Sequence, residues 1–283
     1  MSAAPHTWIS THGVPVPPII YGTAWKKERT ASLVEQALRL GFRGIDTACQ
    51  PKHYDEAGVG AGLAAAQRHG LDRAELYLQT KFTPLAGHDP ARVPYDPQAR
   101  LCDQVAQSFA RSRANLGIDR VDCLVLHSPL ANPAELAEVW RAMEAIFDQG
   151  GARQLGISNC PDPVVLRHLC EGVRIRPAVV QNRFHAKTGY DRQVRDYCRA
   201  HGMIYQSFWT LTANPDILAH ATVRALAAAH RRTAAQIFFR FLSQIGIVPL
   251  TGTSSAAHMQ DDLAIADFTL DPPSCQALEL LLG

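Results

Sequence analysis

Residues 123–158 read CLVLHSPLANPAELAEVWRAMEAIFDQGGARQLGIS, and their pattern indicates the architecture of the whole chain. It begins with one short apolar run, Cys123–His127, and ends with another, Gln154–Ser158. Between these runs, the segment Pro133–Phe147 carries apolar residues at the spacing of an amphipathic helix. Two short apolar runs joined by a helix predict a βαβ unit, in which the two strands are parallel.

The same alternation of short apolar runs and longer helical patterns continues along the whole chain. Eight such runs fit a closed barrel better than an open sheet, and a chain of 283 residues suits a single barrel domain. We therefore predict an α/β protein, a single (β/α)₈ TIM barrel spanning residues 1–283. The segment Trp8–Val16, with Gly13 near its middle, predicts an additional N-terminal β-hairpin at the barrel bottom. The other predicted strands are Ile19–Gly22, Gly44–Ala48, Leu76–Phe82, Ala178–Asn182, Ile204–Phe208 and Ile247–Leu250, and the other predicted helices are Ala31–Leu40, Pro97–Leu116, Pro163–Cys170, Asp191–His201 and two segments within Pro215–Ile245, broken near Arg231–Thr233.

Composition and charge exclude several classes of protein. The net charge of +2 and the absence of a long basic stripe argue against a nucleic-acid partner. No run approaches the roughly 18 apolar residues of a membrane span, and the N-terminus does not resemble a secretory signal, so we expect a cytoplasmic protein. The seven cysteines are scattered without a CxxC pair, which predicts free thiols.

Several common enzyme motifs are missing from the sequence. No GxGxxG follows a predicted strand, and the glycines at 58–62 lie where a helix should begin. There is no GxxxxGK[ST] loop, HExxH pair or GxSxG turn. We therefore predict no metal site, and a metal-dependent barrel hydrolase remains only a distant alternative.

Polar side chains stand where the predicted strands end, as at Asp46, Lys81, His127 and Ser158. A closed barrel brings the carboxyl ends of its strands to one rim, where active sites of this fold lie. The sequence therefore predicts a site built from these residues.

Three segments together resemble the aldo-keto reductase family. They are GFRGIDTACQPKHYDEAGVG at 41–60, LYLQTKF at 76–82 and LGIDRVDCLVLHSP at 116–129. The resemblance extends in order through RQLGISN at 153–159, VVQNRFH at 179–185 and VPLTGTSSAAHMQDDL at 248–263. It implies an NAD(P)H-dependent oxidoreductase that reduces small aldehydes or ketones to alcohols.

The resemblance implies that Asp46, Tyr54, Lys81 and His127 are the catalytic residues. Tyr54 would give the proton, and a free tyrosine has a pKa of about 10, so it is protonated at neutral pH. We expect the Lys81 ammonium, held by Asp46, to lower that pKa toward the working pH. A neutral His127 would hydrogen-bond the substrate carbonyl.

The loop that carries Tyr54 departs from the family pattern. Tyr54 stands eight positions after Asp46, which makes the loop three residues longer than is usual, and the asparagine that normally follows the tyrosine is absent. This departure leaves open a second hypothesis, in which the chain is a catalytically weak, cofactor-binding regulatory subunit of the same fold.

The resemblance also implies a nicotinamide site, in which Ser158, Asn159 and Gln181 hold the carboxamide and Phe208 stacks on the ring. Trp209 stands where the family has a small residue, with an effect that the sequence does not predict.

At the phosphate end of the site, Leu250 stands where many members have lysine. Thr251, Thr253, Ser254 and His258 are the candidate contacts there. We predict NADP(H) as the cofactor, with NAD(H) as the alternative. Trp25 and Tyr95 are the candidate residues of the substrate pocket.

Overall fold

The computed structural model describes residues 7–283 and shows a closed barrel of eight parallel strands beside a two-stranded antiparallel hairpin. The strands follow one another around the barrel in chain order, and the last pairs with the first, with Leu250 beside Ile20. The predicted (β/α)₈ barrel is therefore confirmed. The hairpin strands are β1 (Trp8–Ile9) and β2 (Pro15–Val16), and the barrel strands are β3 (Ile20–Gly22), β4 (Gly44–Asp46), β5 (Tyr77–Phe82), β6 (Cys123–Leu126), β7 (Leu155–Ser158), β8 (Val179–Arg183), β9 (Ile204–Phe208) and β10 (Ile247–Thr251).

The predicted N-terminal hairpin is present and covers the amino ends of the barrel strands. Its turn contains Gly13 with a φ of 71°, a conformation that glycine adopts without steric cost. Val14 and Val16 are fully buried in one apolar cluster with Tyr77 and Val179, the first residues of β5 and β8. The hairpin therefore closes the end of the barrel opposite the predicted site.

The helices cover the outside of the barrel, and several begin where the sequence places a capping residue before proline. Asn132 and Asp162 each accept a hydrogen bond from the backbone N–H two residues later, which satisfies a donor left free at the helix start. The helices are α1 (Thr30–Leu40), α2 (Glu56–Arg68), α3 (Leu101–Leu116), α4 (Pro133–Asp148), α5 (Pro163–Gly172), α6 (Arg192–Ala200), α7 (Pro215–Ala219), α8 (Ala221–His230), α9 (Ala234–Gln244), α10 (Ala256–Leu263) and α11 (Pro272–Glu279).

The region 215–245 differs from its prediction. The sequence predicted two segments, whereas the structure has three helices, α7, α8 and α9. The additional break falls at His220, whose extended backbone and ring nitrogen cap the start of α8. The predicted break near 231–233 is confirmed, because Arg231 adopts a φ of 53° and Thr233 begins α9 with a capping box.

Apolar side chains fill the space between the strands and the helices, and others fill the lower barrel interior. Trp140 of α4 is fully buried in the outer layer, and its indole N–H donates to Ile175 O at 2.8 Å. Val125 and Val248 pack inside the barrel. All seven cysteines are free, as predicted. No helix within residues 7–283 is long and apolar enough to cross a membrane.

Candidate active site

Three of the four predicted catalytic side chains come from the carboxyl ends of neighbouring barrel strands. Asp46 is the last residue of β4, Lys81 is the penultimate residue of β5, and His127 follows β6 directly. Because these strands are parallel and adjacent, their ends meet on the same rim.

Asp46 and Lys81 form an ion pair inside the barrel. Lys81 Nζ lies 2.5 Å from Asp46 Oδ1, and it also donates to Thr47 O at 2.9 Å. Asp46 is 3% exposed and Lys81 is 1% exposed, so both charged groups are shielded from solvent. Two buried charges are tolerated only as a well-paired unit, and the pair therefore places a fixed dipole beneath the rim.

The same oxygen of Asp46 accepts two further hydrogen bonds from buried amides. Gln79 Nε2 donates to Oδ1 at 2.6 Å, and Gln181 Nε2 donates to it at 3.0 Å. Both amides also donate to Gln206 Oε1, at 2.9 and 3.0 Å. Side chains from β4, β5, β8 and β9 therefore hold the ion pair in place across the barrel interior.

Tyr54 lies directly over this pair despite the lengthened loop. Lys81 Nζ is 5.3 Å from the centre of the Tyr54 ring. The His127 ring lies 6.0 Å from it, at an interplanar angle of 67°. The structure therefore brings Asp46, Lys81, Tyr54 and His127 together in one place.

The backbone of the loop between β4 and α2 explains why Tyr54 reaches this position. The loop stays hydrogen-bonded beside β5, with Cys49 N donating to Lys81 O at 3.2 Å. Gln50 then anchors a turn, because its carbonyl accepts from Tyr54 N at 3.1 Å and its side chain donates to Gly87 O at 2.7 Å. The additional residues thus form a compact turn.

The pKa of Tyr54 does not follow the sequence-based argument. Burial raises the pKa of the phenol well above its usual value, and the negative charge of Asp46 raises it further. The expected lowering by Lys81 is offset because its ammonium is already paired with Asp46. Tyr54 is therefore held in its protonated form across the physiological range.

His127 is neutral in this environment. Burial lowers its pKa well below the usual value, and the positive charge of Lys81 and the neighbouring His53 and His88 lower it further. Its Nδ1 lies 2.7 Å from Thr83 Oγ1. A neutral imidazole beside a protonated phenol is an arrangement that can hydrogen-bond and protonate a carbonyl oxygen.

The predicted carboxamide-binding residues lie on the same rim. Ser158 is the buried last residue of β7, and the exposed Asn159 follows it with a φ of 52°. The Asn159 amide donates to His127 O at 2.8 Å and to Ser158 Oγ at 3.3 Å. Gln181 lies on the neighbouring β8, where its amide nitrogen is shared between Asp46 and Gln206.

Phe208 and Trp209 stand at the end of β9. Phe208 is half-buried, whereas Trp209 is 49% exposed and has a φ of 56°. The guanidinium of Arg183, at the end of β8, lies 4.1 Å from the centre of the Trp209 ring and 6.0 Å from that of Phe208. Trp209 therefore packs under Arg183 at the rim, with half of its surface facing solvent.

Hydrogen bonds of its polar groups hold the segment 251–258 in place. The Thr251 hydroxyl donates to Asp262 Oδ2 at 2.7 Å, and Thr253 Oγ1 accepts from Ser255 N at 3.1 Å. Thr253 O accepts from the Tyr21 hydroxyl at 2.9 Å. Ser254 lies in the loop before α10, and His258 lies in the first turn of that helix, where its N–H donates to Ser255 Oγ at 3.4 Å.

Lys26 is not among the site residues predicted from the sequence. In the structure its ammonium reaches from the loop after β3 and donates to Gly252 O, inside the segment 251–258. Burial lowers the pKa of Lys26, and the positive charge of Arg29 lowers it further. The sequence signal for this contact was the position of Lys26 in the loop that follows the first barrel strand, directly after Trp25.

Trp25 and Tyr95 occupy different positions around the opening. Trp25 is 58% exposed, and its ring lies 4.1 Å from that of His53 in the lengthened loop. Tyr95 is buried, and its hydroxyl donates to Thr83 O at 2.9 Å. Trp25 thus presents an aromatic face at the rim, whereas Tyr95 supports the loop between β5 and α3 from within.

Residues 7–283 contain no group of three or more His, Cys, Asp or Glu side chains that could hold a metal ion.

The chain belongs to the aldo/keto reductase family, whose sequence model matches residues 18–282. It is 26% identical to a 9,11-endoperoxide prostaglandin H2 reductase of Trypanosoma cruzi, over 89% of this chain and 82% of that protein. It is 27% identical to a probable NAD(P)H-dependent D-xylose reductase of Arthroderma otae, over 93% of this chain and 88% of that protein. Among solved structures, an aldo/keto reductase from Brucella melitensis superposes with a TM-score of 0.84 at 25% identity, covering 98% of this chain and 100% of that one.

These comparisons confirm the predicted family, and with it the class of NAD(P)H-dependent oxidoreductases. The prediction of a nicotinamide cofactor is confirmed at the level of the family. Neither the comparisons nor the described residues favour the alternative of a regulatory subunit.

Proposed function

We propose that this chain reduces small aldehydes or ketones to alcohols, with Tyr54 as the general acid and NADPH or NADH as the hydride donor. The observation that carries the proposal is the buried pair of Lys81 and Asp46 beneath the Tyr54 ring, with a neutral His127 beside it. Each group has a separate task in adding a proton to a carbonyl oxygen.

The donor set at the rim fits a nicotinamide. Ser158 offers a hydroxyl, while Asn159 and Gln181 offer amides, and these groups can pair with both ends of a carboxamide. Phe208 supplies a flat apolar face for the ring. When bound, the cofactor supplies the hydride that adds to the carbonyl carbon.

The residues of this chain orient the substrate and deliver the proton. His127 would hydrogen-bond the carbonyl oxygen, which polarises the carbonyl and fixes its orientation. Tyr54 would transfer its hydroxyl proton to the same oxygen as negative charge develops there. The Lys81 ammonium, held in place by Asp46 and 5.3 Å from the centre of the Tyr54 ring, would then be the positive charge nearest the phenolate that remains.

The raised pKa of Tyr54 keeps the phenol in the protonated form near neutral pH. Reduction needs the protonated phenol, which is the form that burial stabilises. Oxidation needs the phenolate to accept a proton, and the neighbouring Asp46 makes that form more costly.

We propose that the phosphate end of the cofactor lies against the segment 251–258 and that Lys26 contributes charge there. With Leu250 in place of a lysine, the preference for NADPH over NADH should be weak. The probable D-xylose reductase of Arthroderma otae is named as NAD(P)H-dependent, which agrees with a weak preference.

The first test is fluorescence titration of the purified chain with NADPH and with NADH, followed by initial rates on a panel of aldehydes and ketones. We expect saturable binding of at least NADPH and turnover of an activated aromatic aldehyde. Cofactor binding without turnover of any carbonyl would contradict the proposed reaction.

The second test is Tyr54→Phe, which removes only the hydroxyl. We expect turnover to fall at least 100-fold, because general acid catalysis typically contributes about 10²–10⁴, while the NADPH dissociation constant stays within about twofold. Tyr197→Phe, on the outer helix α6, is the matched control and should keep full activity. If Tyr54→Phe retained wild-type turnover, another acid would be at work.

A further inference from the structure

The Thr83 hydroxyl contacts one ring nitrogen of His127. Thr83 lies immediately after β5, two residues beyond Lys81, and is 2% exposed. Its Oγ1 lies 2.7 Å from His127 Nδ1. Within residues 7–283, this is the only hydrogen bond of the Thr83 hydroxyl.

The position of Thr83 is fixed from two sides. Its carbonyl oxygen accepts from His88 Nε2 at 3.0 Å and from the Tyr95 hydroxyl at 2.9 Å. Both donors belong to the loop between β5 and α3, and their rings contact each other edge to face, with centres 5.3 Å apart. His127 N donates to Phe82 O at 2.8 Å, which ties the backbone of His127 to the residue before Thr83.

The hydrogen bond between Thr83 and His127 can run in either direction, and the surroundings choose between them. A neutral imidazole carries one N–H, on Nδ1 or on Nε2, whereas a threonine hydroxyl can donate or accept. If Nδ1–H donated to Oγ1, the buried hydroxyl proton of Thr83 would have no acceptor among the described residues. Buried donors without a partner are costly. The favoured arrangement therefore has the Thr83 hydroxyl donating to an unprotonated Nδ1.

We propose that Thr83 is a positioning residue that fixes His127 in the tautomer protonated at Nε2. The edge of the imidazole that faces away from Thr83 then carries an N–H, which can donate to a substrate carbonyl oxygen. This inference rests on the proposed function, because it assigns His127 the donor role in carbonyl recognition. The lowered pKa of His127 agrees with it, since only a neutral ring has a tautomer to select.

The tautomer can be measured without turnover. Long-range ¹H–¹⁵N correlation spectra of the full chain, labelled with ¹⁵N-histidine, distinguish protonated from unprotonated ring nitrogens, and His127→Asn assigns the signal by its disappearance. We expect a protonated Nε2 and an unprotonated, hydrogen-bonded Nδ1 in the wild-type protein at pH 7.5. A protonated Nδ1 would overturn the inference, even if the chain reduced carbonyls.

Three variants at position 83 test the functional consequence. Thr83→Val keeps the shape and removes the hydroxyl, Thr83→Ser keeps the hydroxyl, and Thr83→Asp offers only an acceptor when ionised. We expect Thr83→Val to populate both tautomers of His127 and to lower kcat/KM roughly 10-fold. We expect Thr83→Asp to move the proton to Nδ1 and to lower kcat/KM roughly 100-fold, by analogy with the loss of an oriented donor.

Thr83→Ser should keep the wild-type tautomer and remain within about threefold of the wild-type kcat/KM, while all three variants bind NADPH with unchanged affinity. The inference would be overturned if Thr83→Asp kept the wild-type tautomer and the wild-type kcat/KM. It would also be overturned if Thr83→Ser lowered kcat/KM as much as Thr83→Val does. If the wild-type chain reduces no carbonyl, the proposed function fails, while the spectrum still decides the tautomer.

Discussion

The buried carboxyl of Asp262 should make the stability of this protein fall as the pH rises. Asp262 is 4% exposed, and burial raises its pKa from 3.8 to about 6, against the opposing effect of the hydrogen bond from Thr251. The folded state therefore holds a proton on Asp262 at pH values where the unfolded chain has lost it. The resulting stability is complete below pH 3.8 and is lost as the pH rises through about 6.

The size of the effect follows from the two pKa values. Each pKa unit corresponds to about 1.4 kcal/mol, so the Asp262 carboxyl should lower the free energy of unfolding by about 3 kcal/mol at pH 8 relative to strongly acidic conditions. About half of that loss should fall between pH 5 and pH 8. Against a typical free energy of unfolding of roughly 5–15 kcal/mol, this is a measurable fraction.

Asp262→Asn isolates this contribution, because the amide keeps an acceptor for the Thr251 hydroxyl but does not ionise. We expect the variant to gain about 1–2 kcal/mol relative to wild type between pH 5 and pH 8, measured by urea unfolding followed by circular dichroism. Asp267→Asn, at an exposed carboxylate, is the control and should show a constant difference. A difference between Asp262→Asn and wild type that does not change with pH would refute the reasoning.

Three further predictions concern the cofactor and the proton. Leu250→Lys should raise the ratio of NADPH to NADH affinity, whereas an unchanged ratio in fluorescence titrations would contradict our placement of the phosphate end. Lys26→Met should weaken binding of both cofactors about tenfold at low salt and less at high salt, because a charge contact is screened; salt-independent binding would argue against the assigned role. The rate of reduction should stay nearly constant from pH 6 to pH 9, while the rate of oxidation should rise over the same range. The reason is that Tyr54 has a raised pKa and His127 has a lowered pKa. A fall in the rate of reduction centred near pH 7 would contradict this prediction.

The strands and most helices could be predicted from the sequence because their signals are local. Short apolar runs at Cys123–Leu126 and Ile204–Phe208, and capped prolines at Pro133 and Pro163, each carry their own evidence. The break at His220 was missed because a histidine cap has no strong sequence signature.

The motifs predicted which side chains would meet at the rim, whereas the electrostatics of these side chains could not be predicted. The pKa of Tyr54 is raised by the burial of its ring and by the negative charge of Asp46, and both depend on how the folded chain packs around the ring. The contact of Lys26 with Gly252 joins residues more than two hundred positions apart. The outward position of Trp209 depends on Arg183 of the neighbouring strand.

Of the four residues assigned to the chemistry, Tyr54 alone comes from a loop, while the other three are anchored at strand ends. The three residues at the strand ends therefore have fixed positions, whereas the loop that carries Tyr54 can vary. The loop between β4 and α2 can change in length, here by a turn at Gln50, provided that the Tyr54 ring still lies over the Lys81 ammonium. Remodelling that segment, together with the Trp25 ring that it touches, would therefore reshape the opening above the ion pair while the three residues at the strand ends stay in place.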